Sequence, residues 1–239
     1  MTVAATQTVR DIALENPASI RVFEKFGIDY CCGGRKALTE ACEANSIAVD
    51  EVIAALERAG AEPVPQSENW AGKPLADLIN HIVTTHHAYV NQEVPRLAQL
   101  AARVVARHGD TMPELPVIQA KVAELSAELS SHLAKEEMVL FPHITRLERA
   151  MAEGQPAPAS CFGTVSNPIS MMTSEHDSAG ALMADIRRLS NDYTPPVGAC
   201  PTFLNFYISL REFEQDLHQH IHLENNILFP KAVALEAGM

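Results

Sequence analysis

The chain has 239 residues, 47% hydrophobic and 20% charged, with a formal net charge of −12. That charge argues against a non-specific grip on nucleic acid, which needs a basic face, and no apolar stretch reaches the ~18 residues a membrane-spanning helix requires. An odd count of five cysteines in a chain too large to need disulfides, and an N-terminus without a basic segment leading into an apolar one, predict reduced thiols in a cytoplasm and no secretory signal.

Residues 1–60 read as a small helical domain. Asn16-Pro17 is expected to open a helix over residues 17–26, with Gly27 as its stop. Gly33-Gly34 reads as a turn before a second helix at about residues 35–45, and Asp50 as the cap of a third that Gly60 ends. Residues 61–73 hold two prolines and no periodicity, which marks a linker; its Trp70 is expected to dock on one of the domains.

From Pro74 to Met239 the pattern is helical throughout. Four long helices are predicted at about 74–107, 117–149, 168–191 and 201–236, separated by breaks rich in Gly and Pro. No run alternates apolar and polar residues, so the fold class is all-α: an up-and-down four-helix bundle preceded by the small helical domain.

Within the bundle a motif repeats. His132-x-x-x-Glu136-x-x-x-Leu140-Phe141-Pro142 returns 88 residues later as His220-x-x-x-Glu224-x-x-x-Leu228-Phe229-Pro230. His87 precedes the first copy by 45 residues and His176 the second by 44, so the bundle reads as two copies of one helical hairpin. Residues four apart lie one above the other on a helix face, which lets a His and a Glu approach the same metal. Two carboxylates can bridge two cations, and four imidazoles can cap the pair. Imidazole with carboxylate suits iron or manganese, and no cysteine shares the motif, which weakens a structural-zinc reading. A single H-x-x-x-E is ordinarily a surface pair; the duplicated pattern with its shared tail points to a metal site at His87, His132, Glu136, His176, His220 and Glu224. His218 and His222 point away from that face, His86 and His81 fall outside it, and His108 and His143 carry no signal.

Together with Ser174-Glu175-His176-Asp177 and the Asn225-Asn226 tail, these residues resemble the hemerythrin-like di-iron proteins that repair iron centres. Asp29-Tyr30-Cys31-Cys32-Gly33-Gly34 is similar to the CCGG motif of the small domain those proteins carry, so the resemblance covers nearly the whole chain. It implies two non-haem iron ions with an oxo or hydroxo bridge, and cytoplasmic repair of iron–sulfur clusters damaged by nitric oxide or peroxide. By that analogy His87 and His132 serve one iron, and His176 and His220 the other. The implied partners are damaged iron–sulfur proteins, with nitric oxide or oxygen as small ligands and self-association into a homodimer as a further expectation. Cys31 and Cys32 are candidates for thiol redox, electron transfer or contact with a damaged cluster; the bland alternative is that they flank a glycine turn needing positive φ. Glu175 is a candidate for lining a channel. The rival functions are a sensor or carrier of oxygen or nitric oxide, and a nitric oxide reductase or peroxidase.

Overall fold

The computed structural model describes residues 3–60, 70 and 72–238. Most of the segment expected as a linker, residues 61–69 and 71, lies outside them.

The small domain contains helices α1 (Val9–Glu15), α2 (Ser19–Phe26), α3 (Leu38–Ala44) and α4 (Val49–Ala59). Its core is Val9, Ile12, Phe23, Tyr30, Leu38, Val52 and Leu56. Helix α1 has no counterpart in the sequence reading, because its apolar face consists of only Val9, Ile12 and Ala13. Its presence reassigns Asn16, expected as the N-cap of α2: Asn16 ends α1, and its Oδ1 accepts from the Ala18 N–H at 3.1 Å to close the turn. Asp50 lies in the first turn of α4, with Ala48 at the cap position. Gly27 does stop α2, in the left-handed region at φ 64°.

The bundle has four long helices. Helix α5 spans residues 75–108 and joins Leu75–His81, a π-helical segment Ile82–His87 and Ala88–His108. Helix α6 spans 114–152 through Glu114–Lys135, the π segment Glu136–Leu140 and Phe141–Ala152. Helix α7 is Ser166–Leu189. Helix α8 spans 201–237 through Pro201–His222, the π segment Leu223–Leu228 and Phe229–Ala237. Helix α5 packs on α6 and α8, and α6 on α7, which closes an up-and-down ring. Two apolar clusters fill it, one toward Leu97, Leu125 and Phe213 and the other toward Ile82, Phe141 and Phe229.

The repeat continues into the way each half is closed. Glu148 accepts from the Leu75 and Ala76 N–H groups at 2.6 and 2.9 Å, at the start of α5. Glu236, 88 residues later, accepts from the Val165 N–H with both oxygens at 3.0 Å, at the start of α7. Helix starts leave their first N–H groups unpaired, and these carboxylates take them up. Trp70 docks on the bundle: its ring stacks on His81 at 4.5 Å between centroids, and its carbonyl accepts from Lys231 Nζ at 3.4 Å. Among the described residues, no helix is long and apolar enough to cross a membrane.

Candidate metal centre

The two H-x-x-x-E motifs and the two lone histidines converge in the middle of the bundle, and all six side chains are buried. A π segment interrupts three of the four contributing helices: one ends at His87, one begins at Glu136 and one contains Glu224. Such wide turns shift a helix's side-chain register locally and cluster at functional sites. The prolines of the two Leu-Phe-Pro tails follow the last two of them and lack the N–H that a regular helix would give the carbonyl four residues earlier.

The ligand atoms fall into two groups, His87–Glu136–His220–Glu224 and His132–Glu136–His176–Glu224, each within 4.8 Å throughout. The carboxylates are common to both. His132 Nε2 lies 3.3 Å from Glu136 Oε2, His220 Nε2 3.1 Å from Glu224 Oε1, His176 Nε2 3.1 Å from Glu224 Oε2 and His87 Nε2 3.4 Å from Glu136 Oε2. This grouping corrects the expected pairing of His87 with His132 and His176 with His220. One imidazole pair comes from α5 and α8 and the other from α6 and α7, so each pair is drawn from both halves of the repeat.

Three of the imidazoles are held from behind. His87 Nδ1 donates to Glu137 Oε1 at 2.8 Å, His132 Nδ1 to Glu175 Oε2 at 2.9 Å and His176 Nδ1 to Asn225 Oδ1 at 2.9 Å. An acceptor behind Nδ1 fixes the tautomer that turns the Nε2 lone pair inward. Glu137 and Asn225 are themselves 88 residues apart; one more step along the repeat would have found them. Glu175, the candidate for lining a channel, has both oxygens engaged, one by His132 and the other by Lys135. It also borders a space of about 10 Å³ beside His132, His176 and His220, roofed by Leu129, Ala179, Leu217 and Ile221. Among the described residues His220 has no acceptor at Nδ1; His86 stacks on it at 5.5 Å and is tied by its own Nδ1 to Asp216 at 2.9 Å.

The electrostatics ask for cations. Burial opposes ionisation of Glu136 and Glu224, yet the facing imidazoles hold both carboxyls below their ordinary range, Glu224 well below. In the metal-free chain burial likewise opposes charge on His87 and His132, but the same carboxylates push their pKa values up to about 10 and about 9. Both Glu136 oxygens, Glu224 Oε2 and His87 Nε2 are buried and, among the described residues, make no well-aligned hydrogen bond, close as the facing groups lie. His132 Nε2 and His176 Nε2 face one another at 3.1 Å, a separation that demands a proton or a metal between them. Buried acceptors left this way around two carboxylates are suited to binding metal cations.

The remaining histidines sit elsewhere. His218 and His222 turn toward the small domain, with Tyr30 edge-on to each at 6.1 and 5.4 Å. His143 is buried against Phe162, and His108 lies near Cys200 and Phe203.

The Cys31–Cys32 turn packs against α7. Cys32 Sγ lies 3.7 Å from the His176 carbonyl, and the two sulfurs are 3.8 Å apart, unbonded. Both cysteines border a cleft between the domains of about 460 Å³, with Asp177, Gly180 and His218 on its other wall. Hydrogen bonding to Cys32, burial and the nearby Asp29 all push the Cys31 thiol up. Asp29 organises the turn, accepting from the Cys31, Cys32 and Gly33 N–H groups at 2.9, 3.0 and 2.8 Å. The turn expected at Gly33-Gly34 is present, closed by the Lys36 N–H donating to the Gly33 carbonyl at 3.2 Å, but neither glycine has the positive φ expected of it. The glycines answer a need for space: a Cβ on Gly33 would meet Asp29 Oδ2 at 2.9 Å, and one on Gly34 the Tyr30 carbonyl at 2.6 Å.

Buried histidines and carboxylates suited to metal, inside a four-helix bundle, fit a hemerythrin-type cation-binding protein, and the chain belongs to that family: the hemerythrin HHE cation binding domain matches residues 78–232. Residues 5–60 match a second family, a domain of unknown function called DUF542. Among curated relatives the chain is similar to the "Iron-sulfur cluster repair protein YtfE" of Escherichia coli O81, 38% identical over 231 residues that cover 96% of this chain and 98% of the relative. The protein of the same name from Escherichia fergusonii is 37% identical over the same shares.

Proposed function

We propose that this protein repairs iron–sulfur clusters damaged by nitrosative or oxidative stress, holding two non-haem irons at His87, His132, Glu136, His176, His220 and Glu224. The observation that carries the reading is the pair of buried carboxylates common to two imidazole groups, with oxygens left unpartnered. The likeness to proteins named for iron–sulfur cluster repair, over nearly the whole chain, supports it. When bound, the irons supply a ferrous–ferric couple and a place for a diatomic ligand. The chain supplies the rest. Glu137, Glu175 and Asn225 hold three imidazoles in the metal-binding tautomer, and the apolar roof of Leu129, Leu217 and Ile221 excludes bulk water. Imidazole and carboxylate ligands, with no soft thiolate among them, bind divalent iron less covalently than a cysteine site does, which suits a site that gives its metal away. Cys31 and Cys32, on the wall of the cleft, meet the damaged client.

The space of about 10 Å³ beside three of the histidines holds one water-sized guest and supports a second reading, binding of nitric oxide or oxygen at the same site. Purified protein mixed with an apo iron–sulfur protein decides between them. Repair predicts about two irons per chain, the near-ultraviolet absorption of an oxo-bridged ferric pair, and transfer that restores the client's cluster. The Cys31→Ser/Cys32→Ser variant should keep the iron and lose most of the repair. Iron that binds nitric oxide but never reaches the client would refute repair in favour of a sensor, and one tight zinc without iron would refute both.

A further inference from the structure

The repeat is closely kept around the metal groups and broken on one face. Asn226 is buried, whereas its counterpart 88 residues earlier, Met138, is 72% exposed. His218 and His222 correspond to Ser130 and Ala134. All three departures lie where the small domain rests on α8, and none is explained by the metal groups.

Asn226 makes contacts in both directions. Its Nδ2 donates to the Tyr30 carbonyl at 3.0 Å and approaches His222 Nδ1 at 2.9 Å. Its own carbonyl, which Pro230 cannot serve four residues later, accepts from the Arg10 guanidinium at 3.3 Å. Tyr30 and Arg10 are both anchored at the CCGG turn. The Arg10 N–H donates to the Gly34 carbonyl at 2.7 Å, and any Cβ on Gly34 would strike the Tyr30 carbonyl and crowd Arg10 Cβ at 3.2 Å. The second glycine of CCGG therefore shapes the two groups that grip Asn226. Asn226 lies in the same π turn as Glu224, two residues on, and Glu224 is common to both metal groups.

We propose that Asn226 is a positioning residue through which the docked small domain holds the π turn carrying Glu224, so that the CCGG turn governs how firmly the bundle keeps its metals. The proposal rests on the reading of Glu224 as a metal ligand. With the latch closed, the turn is pinned from outside by two hydrogen bonds, and Tyr30 sits edge-on to His222 just before it. With it open, the turn loses those partners and Glu224 is free to swing from the metals. The first half has no such device, since Met138 stands in solvent.

Two measurements on the full-length protein test this. Ferrous-loaded protein is mixed with a ferrous chelator and iron loss is timed; metal-free protein is followed by hydrogen exchange over residues 223–229 and 136–140. Asn226→Ala and Gly34→Ala should each release iron about tenfold faster, the scale of one lost buried hydrogen bond. Both should speed exchange over 223–229 and leave 136–140 unchanged, and Met138→Ala should match wild type in every reading. Should Gly34→Ala fail to fold, Asn226→Ala carries the test alone. Wild-type iron loss from Asn226→Ala overturns the proposal, as does faster exchange in both segments alike, which would mark a general loss of stability. A wild-type chain that takes up no iron overturns the metal reading and this proposal with it. That failure is told apart from failure of the latch because the exchange contrast is read on metal-free protein.

Discussion

Exchanging the acceptors behind the imidazoles should move metal affinity in opposite directions at two positions. Glu175→Gln replaces the carboxylate that accepts from His132 Nδ1 with a neutral amide, and Asn225→Asp does the reverse behind His176. A hydrogen bond to a charged group contributes about 1.5–3 kcal/mol and a neutral one about 1, so each exchange is worth roughly 1 kcal/mol, or about fivefold in affinity. Glu175 is about one-third exposed and already engaged by Lys135, which draws its effect toward the small end of that range. Its replacement also frees Lys135 from its partner and sets a cation beside the site, which adds to the loss. The expectation is a five- to tenfold weaker hold on ferrous iron for Glu175→Gln, near the lower limit usual for outer partners of metal-bound histidine. Asn225→Asp should tighten binding severalfold. Competition against a ferrous chelator at fixed pH measures both. If the two variants shift affinity in the same direction, the acceptors do not act through imidazole basicity and the argument fails.

Other consequences are equally measurable. Glu136→Gln and Glu224→Gln should each keep a helical circular-dichroism spectrum, because the amide is nearly isosteric, and lose the capacity for two metals; variants that retain two irons with unchanged spectra would show that neither carboxylate is common to the metals. In metal-free protein, His87 and His132 have folded pKa values of about 10 and about 9, above the unfolded value of about 6.5. Their stabilisation is therefore full below about pH 6.5 and is lost as pH rises through 9 to 10. Metal needs the neutral imidazoles, so iron affinity should climb over the same window in which the thermal midpoint of the metal-free chain falls; parallel changes would contradict the assignment. Glu148→Ala unpairs two N–H groups at the start of α5 and should lower the thermal midpoint by about 5 °C, from roughly 1–3 kcal/mol lost.

The long helices and the six convergent side chains were legible because each rests on periodicity. Apolar spacing marks a helix of thirty residues far more clearly than one of seven, and α1 went unread for that reason. The duplicated H-x-x-x-E placed the site, but chain order says nothing about which helices become neighbours, and the pairing of imidazoles was read along the hairpins when it runs across them. Glu137 and Asn225 escaped because one is an acid and the other an amide, and their equivalence is plain only once both are seen behind a histidine. A glycine pair suggests backbone freedom, whereas Gly34 answers a carbonyl pressed against the position where a Cβ would lie, a contact no local pattern encodes. The π turns leave only the two prolines as a trace. Tertiary docking of the small domain gives meaning to His218, His222 and Asn226, and no local pattern announces it.

Each candidate metal group takes one imidazole from the first half of the repeat and one from the second: His87 with His220, and His132 with His176. Bound metals are thus fastenings between two hairpins that a single chain happens to connect. Without them, two buried carboxylates remain in the seam, balanced only by protons on their neighbours. Any ion that binds the folded form alone stabilises it in proportion to the logarithm of its free concentration. The lifetime of this protein in a cell should therefore follow the iron supply, with starved chains the first to open and be degraded.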